Sequence, residues 1–185
     1  MEIKIIIGGF GGQGILFFGK ILTYAGMIEN REVTWFPSYG AEVRGGTANC
    51  TVILSDALIG SPVVTHPDML VIMNSASLYR FLPQLRQHGI TFFDSSLVRE
   101  VIPRSDIEAV GIPATDIATR LKNTQAANMV MLGGIIAKTG IVEKRSAFQA
   151  IESLMQGKKK NHVEGNRKAI VEGMRYIENT QSKNI

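Results

Sequence analysis

Two glycine-rich stretches carry the residue types best suited to chemistry. The first, Gly8-Gly9-Phe10-Gly11-Gly12-Gln13-Gly14, contains the spacing Gly9-x-Gly11-x-x-Gly14. Between a strand and a helix, such a loop permits positive φ, admits phosphates close to the backbone, and aims free amides at an anion. Gly9, Gly11, Gly12, Gln13 and Gly14 are therefore candidate phosphate-facing residues, and a tight turn without ligand is the competing reading. Lys20 is nearly the only charge on the apolar helix that follows. Six residues rise about 9 Å along a helix and side chains lean toward its N-terminus. The Lys20 ammonium therefore either reaches back toward a bound phosphate or snorkels to the surface or an interface. In the second stretch, Tyr39-Gly-Ala-Glu-Val-Arg-Gly-Gly46, Glu42 and Arg44 share one loop before Gly45 and Gly46. An arginine fork suits carboxylate or phosphate, and glycine amides can form an anion-binding concavity. A surface loop with a local Glu–Arg pair explains the same residues. Asn128, ahead of Met129-Val-Met-Leu-Gly133, reads as a helix cap or a subunit contact.

Other chemistries fail on their requirements. A nicotinamide dinucleotide site wants an acid at the end of the second strand, about 20 residues past the glycines. That region reads Val33-Thr34-Trp35-Phe36-Pro37-Ser38 and holds none. The spacing Gly14-x-x-x-x-Gly19-Lys20 imitates a P-loop, but Ile21 replaces the magnesium-binding hydroxyl and bulky apolar residues fill the cradle. His66, His88 and His162 lack metal-ligand spacing. The lone Cys50 sits in a strand pattern, where a small buried hydrophobe is expected. No residue is assigned a catalytic or metal-binding role.

The elements that must position these residues follow from hydrophobic runs and punctuation. Strands are predicted at Ile3–Ile7, Val33–Phe36 (stopped by Pro37), Ala48–Leu54, Met69–Met73, Ile90–Phe93 and Ile107–Val110. Helices are predicted at Gln13–Ile28, Ala76–Gln87 with a kink at Pro83, near Thr115, and at Gln125–Lys138 closed by Gly140 in positive φ. Amphipathic helices at Glu143–Met155 and His162–Glu178 end the chain. Alternating strands and helices predict an α/β fold: a Rossmann-like sandwich of a mostly parallel sheet flanked by helices, with a helical C-terminal part. No linker divides residues 1–185, which are expected to form a single domain.

Bulk properties narrow the class. The 185 residues are 45% hydrophobic and 19% charged, with a net charge of +4. No basic stripe with interleaved aromatics points to nucleic acid, and no apolar run is long enough to span a membrane. One cysteine excludes an internal disulfide, and a cytoplasmic location is expected.

The Gly8–Gly14 loop, the Tyr39–Gly46 loop about 30 residues later and Asn128–Gly133 together resemble the gamma subunit, or gamma domain, of the 2-oxoacid:ferredoxin (acceptor) oxidoreductases. The resemblance covers nearly the whole chain and is greatest to the separate gamma subunit of 2-oxoglutarate enzymes. Pyruvate, branched-chain and indolepyruvate branches, or a purely structural scaffold, are the alternatives. It implies an assembly that oxidatively decarboxylates a 2-oxoacid on thiamine diphosphate, passes electrons through iron–sulfur clusters to ferredoxin or a similar acceptor, and transfers the acyl group to coenzyme A. It also implies alpha, beta and delta-type partners that hold the thiamine diphosphate and the clusters, and no activity from this chain alone. The family's association of this domain with coenzyme A matches a phosphate-facing Gly9–Gly14 loop helped by Lys20. Tyr39, Glu42, Arg44, Gly45, Gly46 and Asn128 would then face a partner subunit or its active-site entrance.

Overall fold

The β-branched run Ile5-Ile6-Ile7 is fully extended and buried at the centre of β1 (Glu2–Phe10). The computed structural model describes residues 1–38, 47–157 and 160–182. The Tyr39–Gly46 stretch therefore lies outside the described residues, including candidate residues Tyr39, Glu42, Arg44, Gly45 and Gly46. After β1 come α1 (Ile15–Ile28), β2 (Glu32–Ser38), β3 (Thr47–Ser55), β4 (Met69–Ile72), α2 (Ser75–Phe81) and β5 (Ile90–Asp94). β6 (Glu108–Ile112), α3 (Ala114–Arg120), α4 (Ala127–Thr139), α5 (Lys144–Leu154) and α6 (Lys160–Gln181) complete the order.

The strands form one mixed sheet in the order β2-β3-β1-β4-β5-β6. Pairings β1–β4, β4–β5 and β5–β6 are parallel, as expected. β3 runs antiparallel between β1 and β2, so five of the six strands share one direction. Alternation along each strand divides the core. Ile5, Ile7, Val52, Leu54, Val71 and Phe92 face the layer of α1 and the C-terminal helices, whereas Ile6, Ile53, Leu70 and Ile72 face α2.

Several boundaries depart from the sequence reading. β2 continues through Pro37 to Ser38 because it is an edge strand, bonded only to β3, where a missing N–H is tolerated. Pro83 does not kink one long helix. α2 ends at Phe81 and a 3₁₀ turn follows at Leu82–Gln84. Arg104 then donates from Nη1 to the carbonyls of Leu82 (3.1 Å) and Leu85 (2.6 Å), satisfying groups that a longer helix would have used. Gly140 closes α4 at φ 60°, as its position predicted.

Candidate functional site at the end of the first strand

β1 and β4 are adjacent parallel strands whose connections leave on opposite faces, α1 into one core and α2 into the other. A crevice outside the carboxyl ends of such strands is where α/β sheets bind ligands. The Gly8–Gly14 loop lies there. β1 runs to Phe10, Gly11 and Gly12 are exposed, and Gly14 precedes α1 in the left-handed conformation at φ 72°. Gly12 has φ 96°, so both positions favour glycine. A Cβ on Gly14 would also strike the Asn128 side-chain amide. Gly9 is buried inside the strand and leaves space for Ile15 and the Gln13 carbonyl oxygen.

Gln13 is a brace. Its Oε1 accepts from Phe10 N (2.6 Å), its Nε2 donates to Met73 O (3.0 Å), and its own amide donates to Phe10 O (3.2 Å). The side chain thus ties β1 to the residue after β4. Asn128 fixes the other side: Nδ2 donates to Gly14 O (3.0 Å) and Oδ1 accepts from Met129 N (2.9 Å), with the residue 3% exposed. Asn128 is the second residue of α4 and joins residues 114 positions apart, which makes it a loop anchor. α1 carries no capping side chain and no acid in its first turn, leaving the positive end of its dipole uncompensated beside Gly12.

Two clefts flank Gly12. One of about 350 Å³ lies between the loop, Phe17, the Asn123–Asn128 region and the start of α6. The other, about 320 Å³, is bounded by Gln13, Leu97, Thr115 and Ala127. Thr115 is held by Asp94, a fully buried carboxylate that accepts from Thr115 Oγ1 (2.6 Å), Thr115 N (3.2 Å) and Ser96 N (3.1 Å). Neither cleft has a lysine or arginine among its described lining residues, so backbone amides are what the loop could offer an anion.

The sequence matches the pyruvate ferredoxin/flavodoxin oxidoreductase family over residues 4–176. The chain belongs to that family. It is 34% identical over 183 residues to the 2-oxoglutarate synthase subunit KorC of Methanothermobacter thermautotrophicus, covering 93% of this chain and 97% of the relative. It is 40% identical over 161 residues to the ketoisovalerate oxidoreductase subunit VorA of the same organism. That match covers 86% of this chain and 33% of VorA, so the chain spans a third of that relative's length. Among solved structures, the gamma subunit of a keto/oxoacid ferredoxin oxidoreductase from Geobacter sulfurreducens aligns with a TM-score of 0.82 and 28% identity, covering 95% of each chain. A 2-oxoglutarate:ferredoxin oxidoreductase from Magnetococcus marinus, solved with 2-oxoglutarate, coenzyme A and succinyl-CoA, shares the fold at a TM-score of 0.88 and 22% identity. This match covers 96% of the present chain and 31% of that one.

The structure brings the glycine loop and Asn128 together but places Lys20 elsewhere. Lys20 is exposed on α1, with its ammonium 5.0 Å from the centre of the Trp35 ring on β2. It lines neither cleft beside Gly12. Cys50 is fully buried, and burial pushes its thiol up to about 12. Among the described residues no cluster of three or more histidines, cysteines or carboxylates could hold a metal, and no helix is long and apolar enough to cross a membrane. The residues missed from sequence are those lining the clefts, Asn123, Thr124, Gln125, His162 and Asn166 among them. The polar run Asn123-Thr124-Gln125 between two helices was the available signal, but no local pattern shows that α6 folds back onto it.

Proposed function

We propose that this chain is the gamma subunit of a 2-oxoacid:ferredoxin oxidoreductase with 2-oxoglutarate as substrate, and that it holds coenzyme A at the Gly12 loop. The observation that carries the reading is the loop's construction. Two exposed glycines stand between two clefts at the β1–β4 crevice, beside an uncapped helix N-terminus, in a chain of this family. Gly11 and Gly12 would present amides to the pyrophosphate, with Gly14 setting the turn. Gln13 would brace the cradle rather than touch ligand. Lys20 takes no part in this version of the site.

Thiamine diphosphate and iron–sulfur clusters would belong to alpha, beta and delta-type partners. A single cysteine cannot supply the several thiolates of a cluster, and this one is buried. The near end-to-end correspondence with KorC favours 2-oxoglutarate. The higher identity to VorA favours a branched-chain 2-oxoacid as the second reading.

The test is to isolate the native complex anaerobically through a tag on this chain and identify its subunits. Coenzyme A-dependent reduction of ferredoxin is then measured with 2-oxoglutarate, pyruvate and ketoisovalerate. The reading expects thiamine- and cluster-bearing subunits and the highest kcat/KM with 2-oxoglutarate. Highest activity with ketoisovalerate would transfer the assignment to the branched-chain enzyme. A chain that emerges without partners would overturn the subunit reading.

A further inference from the structure

α1 departs from the usual division of a surface helix into an apolar and a polar side. Eight of its 14 residues are buried. The remaining ones, Leu16, Phe17, Lys20, Tyr24, Met27 and Ile28, fall within a sector about 120° wide at 3.6 residues per turn. A helix on the outside of a domain fills that sector with charged and polar side chains, whereas a helix that is apolar all round is buried. Here the sector carries one charge, Lys20, while Tyr24, Met27 and Ile28 are 40%, 55% and 39% exposed. These apolar groups lie side by side along the helix, which marks a surface that another chain covers.

The charges around the stripe say which chain. Lys20 makes no ion pair among the described residues, and its ammonium rests over the Trp35 ring. Toward the other end of the stripe, Ile28 borders an open groove of about 610 Å³, lined further by Gln149, Glu152, Ser153 and Gln156. The Glu152 side chain is 54% exposed there and also holds Arg167. Lys20 and Ile28 stand about 6 Å along the helix on either side of Tyr24. A two-fold axis through Tyr24 therefore makes two such helices antiparallel and sets Lys20 of each copy over Ile28 and Glu152 of the other. A different partner would need its own apolar strip and an acid opposite Lys20, whereas a second copy of this surface already has both.

We infer that α1 pairs with α1 of a second copy of this chain, antiparallel about a two-fold axis at Tyr24, with Lys20 of each copy beside Glu152 of the other. The pairing goes beyond the coenzyme A reading and does not depend on it. It gives an interface role to Lys20, which lines neither cleft beside Gly12.

Single cysteines test the axis, because the native Cys50 is fully buried and wild type supplies the baseline. With packed helix axes about 8–10 Å apart, facing α-carbons on the axis come within disulfide range. The two copies of Lys20 are offset by about 12 Å along the helices and do not. The native complex, tagged on this chain, is oxidised with copper phenanthroline and run on a non-reducing gel. Tyr24→Cys should give a band at twice the mass of the chain, Lys20→Cys should stay unlinked, and the double variant Lys20→Cys with Ile28→Cys should link again. Linkage of Tyr24→Cys to a different subunit would assign the face to that subunit and overturn the pairing. Absence of linkage, or equal linkage of Lys20→Cys, would overturn it as well. Sedimentation of the purified full chain gives a reading without cysteines. Wild type should sediment as a dimer in a concentration-dependent equilibrium. Tyr24→Glu, which sets two carboxylates against each other on the axis, should be a monomer with an unchanged circular dichroism spectrum; Met27→Glu replaces it if it does not fold. A wild-type chain that stays monomeric, or a Tyr24→Glu chain that stays dimeric, would overturn the inference.

Discussion

Gln13 shows why a glycine loop contains a residue that is not glycine. Its amide bridges Phe10 N and Met73 O, fastening two parallel strands where their chains diverge. Gln13→Ala should destabilise the fold by about 1–3 kcal/mol, since the carbonyl of the fully buried Met73 loses its donor. Gln13→Glu keeps an acceptor for Phe10 N but sets an oxygen against the Met73 carbonyl, so it should not rescue. Denaturant unfolding of the three proteins checks this; equal stability of wild type and Gln13→Glu would show that the Met73 bond contributes nothing. Cys50 makes an independent prediction. With no exposure and a thiol pushed up to about 12, it should resist maleimide in the native protein at pH 8 and react at once in denaturant. The sign in pH follows: folding favours the neutral thiol, and this contribution is complete below the ordinary thiol value of about 8.5. It is lost as pH rises from there through about 12. Cys50→Ala should therefore flatten the alkaline limb of the stability curve, and an unchanged limb would assign that slope to other groups.

At the scale of elements, the Asn128–Gly133 motif divides into two tasks on one helix. Asn128 anchors the glycine loop, whereas Gly133 lets α6 approach until a Cβ would enter the Ile170 carbonyl oxygen. Gly173 answers from α6 against the Val130 carbonyl. Backbone cannot yield as a flexible side chain does, so Gly133→Ala or Gly173→Ala must force the helices apart. A loss of about 1–3 kcal/mol or more is expected for either in thermal or denaturant unfolding, and full stability would show that the crossing is loose. This closeness was not legible in sequence, because Gly133 and Gly173 meet only through tertiary packing. The six strand runs and the Gly140 cap were legible because each depends on local pattern or one backbone conformation. The insertion of β3 between β1 and β2 was not: alternating apolar runs look alike in parallel and antiparallel neighbours. Pro37 misled in the same way, since its effect depends on whether a strand is at the edge. The glycine loop could be placed from spacing, whereas Gln13's brace and Asn128's anchor depended on partners 60 and 114 residues away.

Across the whole molecule, the rigid parts surround one unencumbered segment. β1 is held by strands on both sides, Gln13 fixes the loop to the end of β4, and Asn128 fixes it to α4. Between these anchors Gly12 is exposed, and a Cβ built on it would meet nothing within 4 Å. Gly12→Ala therefore separates folding from binding. Its φ of 96° is unfavourable for alanine, with strain of about 1–3 kcal/mol, less than the stability of an ordinary domain. The variant should fold and assemble, relieving that strain by turning the peptide units on which the proposed pyrophosphate cradle depends. If the loop holds coenzyme A as proposed, KM for coenzyme A in the native complex should rise about tenfold, while KM for the 2-oxoacid, to which the proposal gives no contact with the loop, stays unchanged. A matched rise in both would mean that the substitution disturbs assembly. No change in either would make Gly11–Gly14 a turn that joins β1 to α1 and nothing more, leaving coenzyme A to be held by the partner subunits.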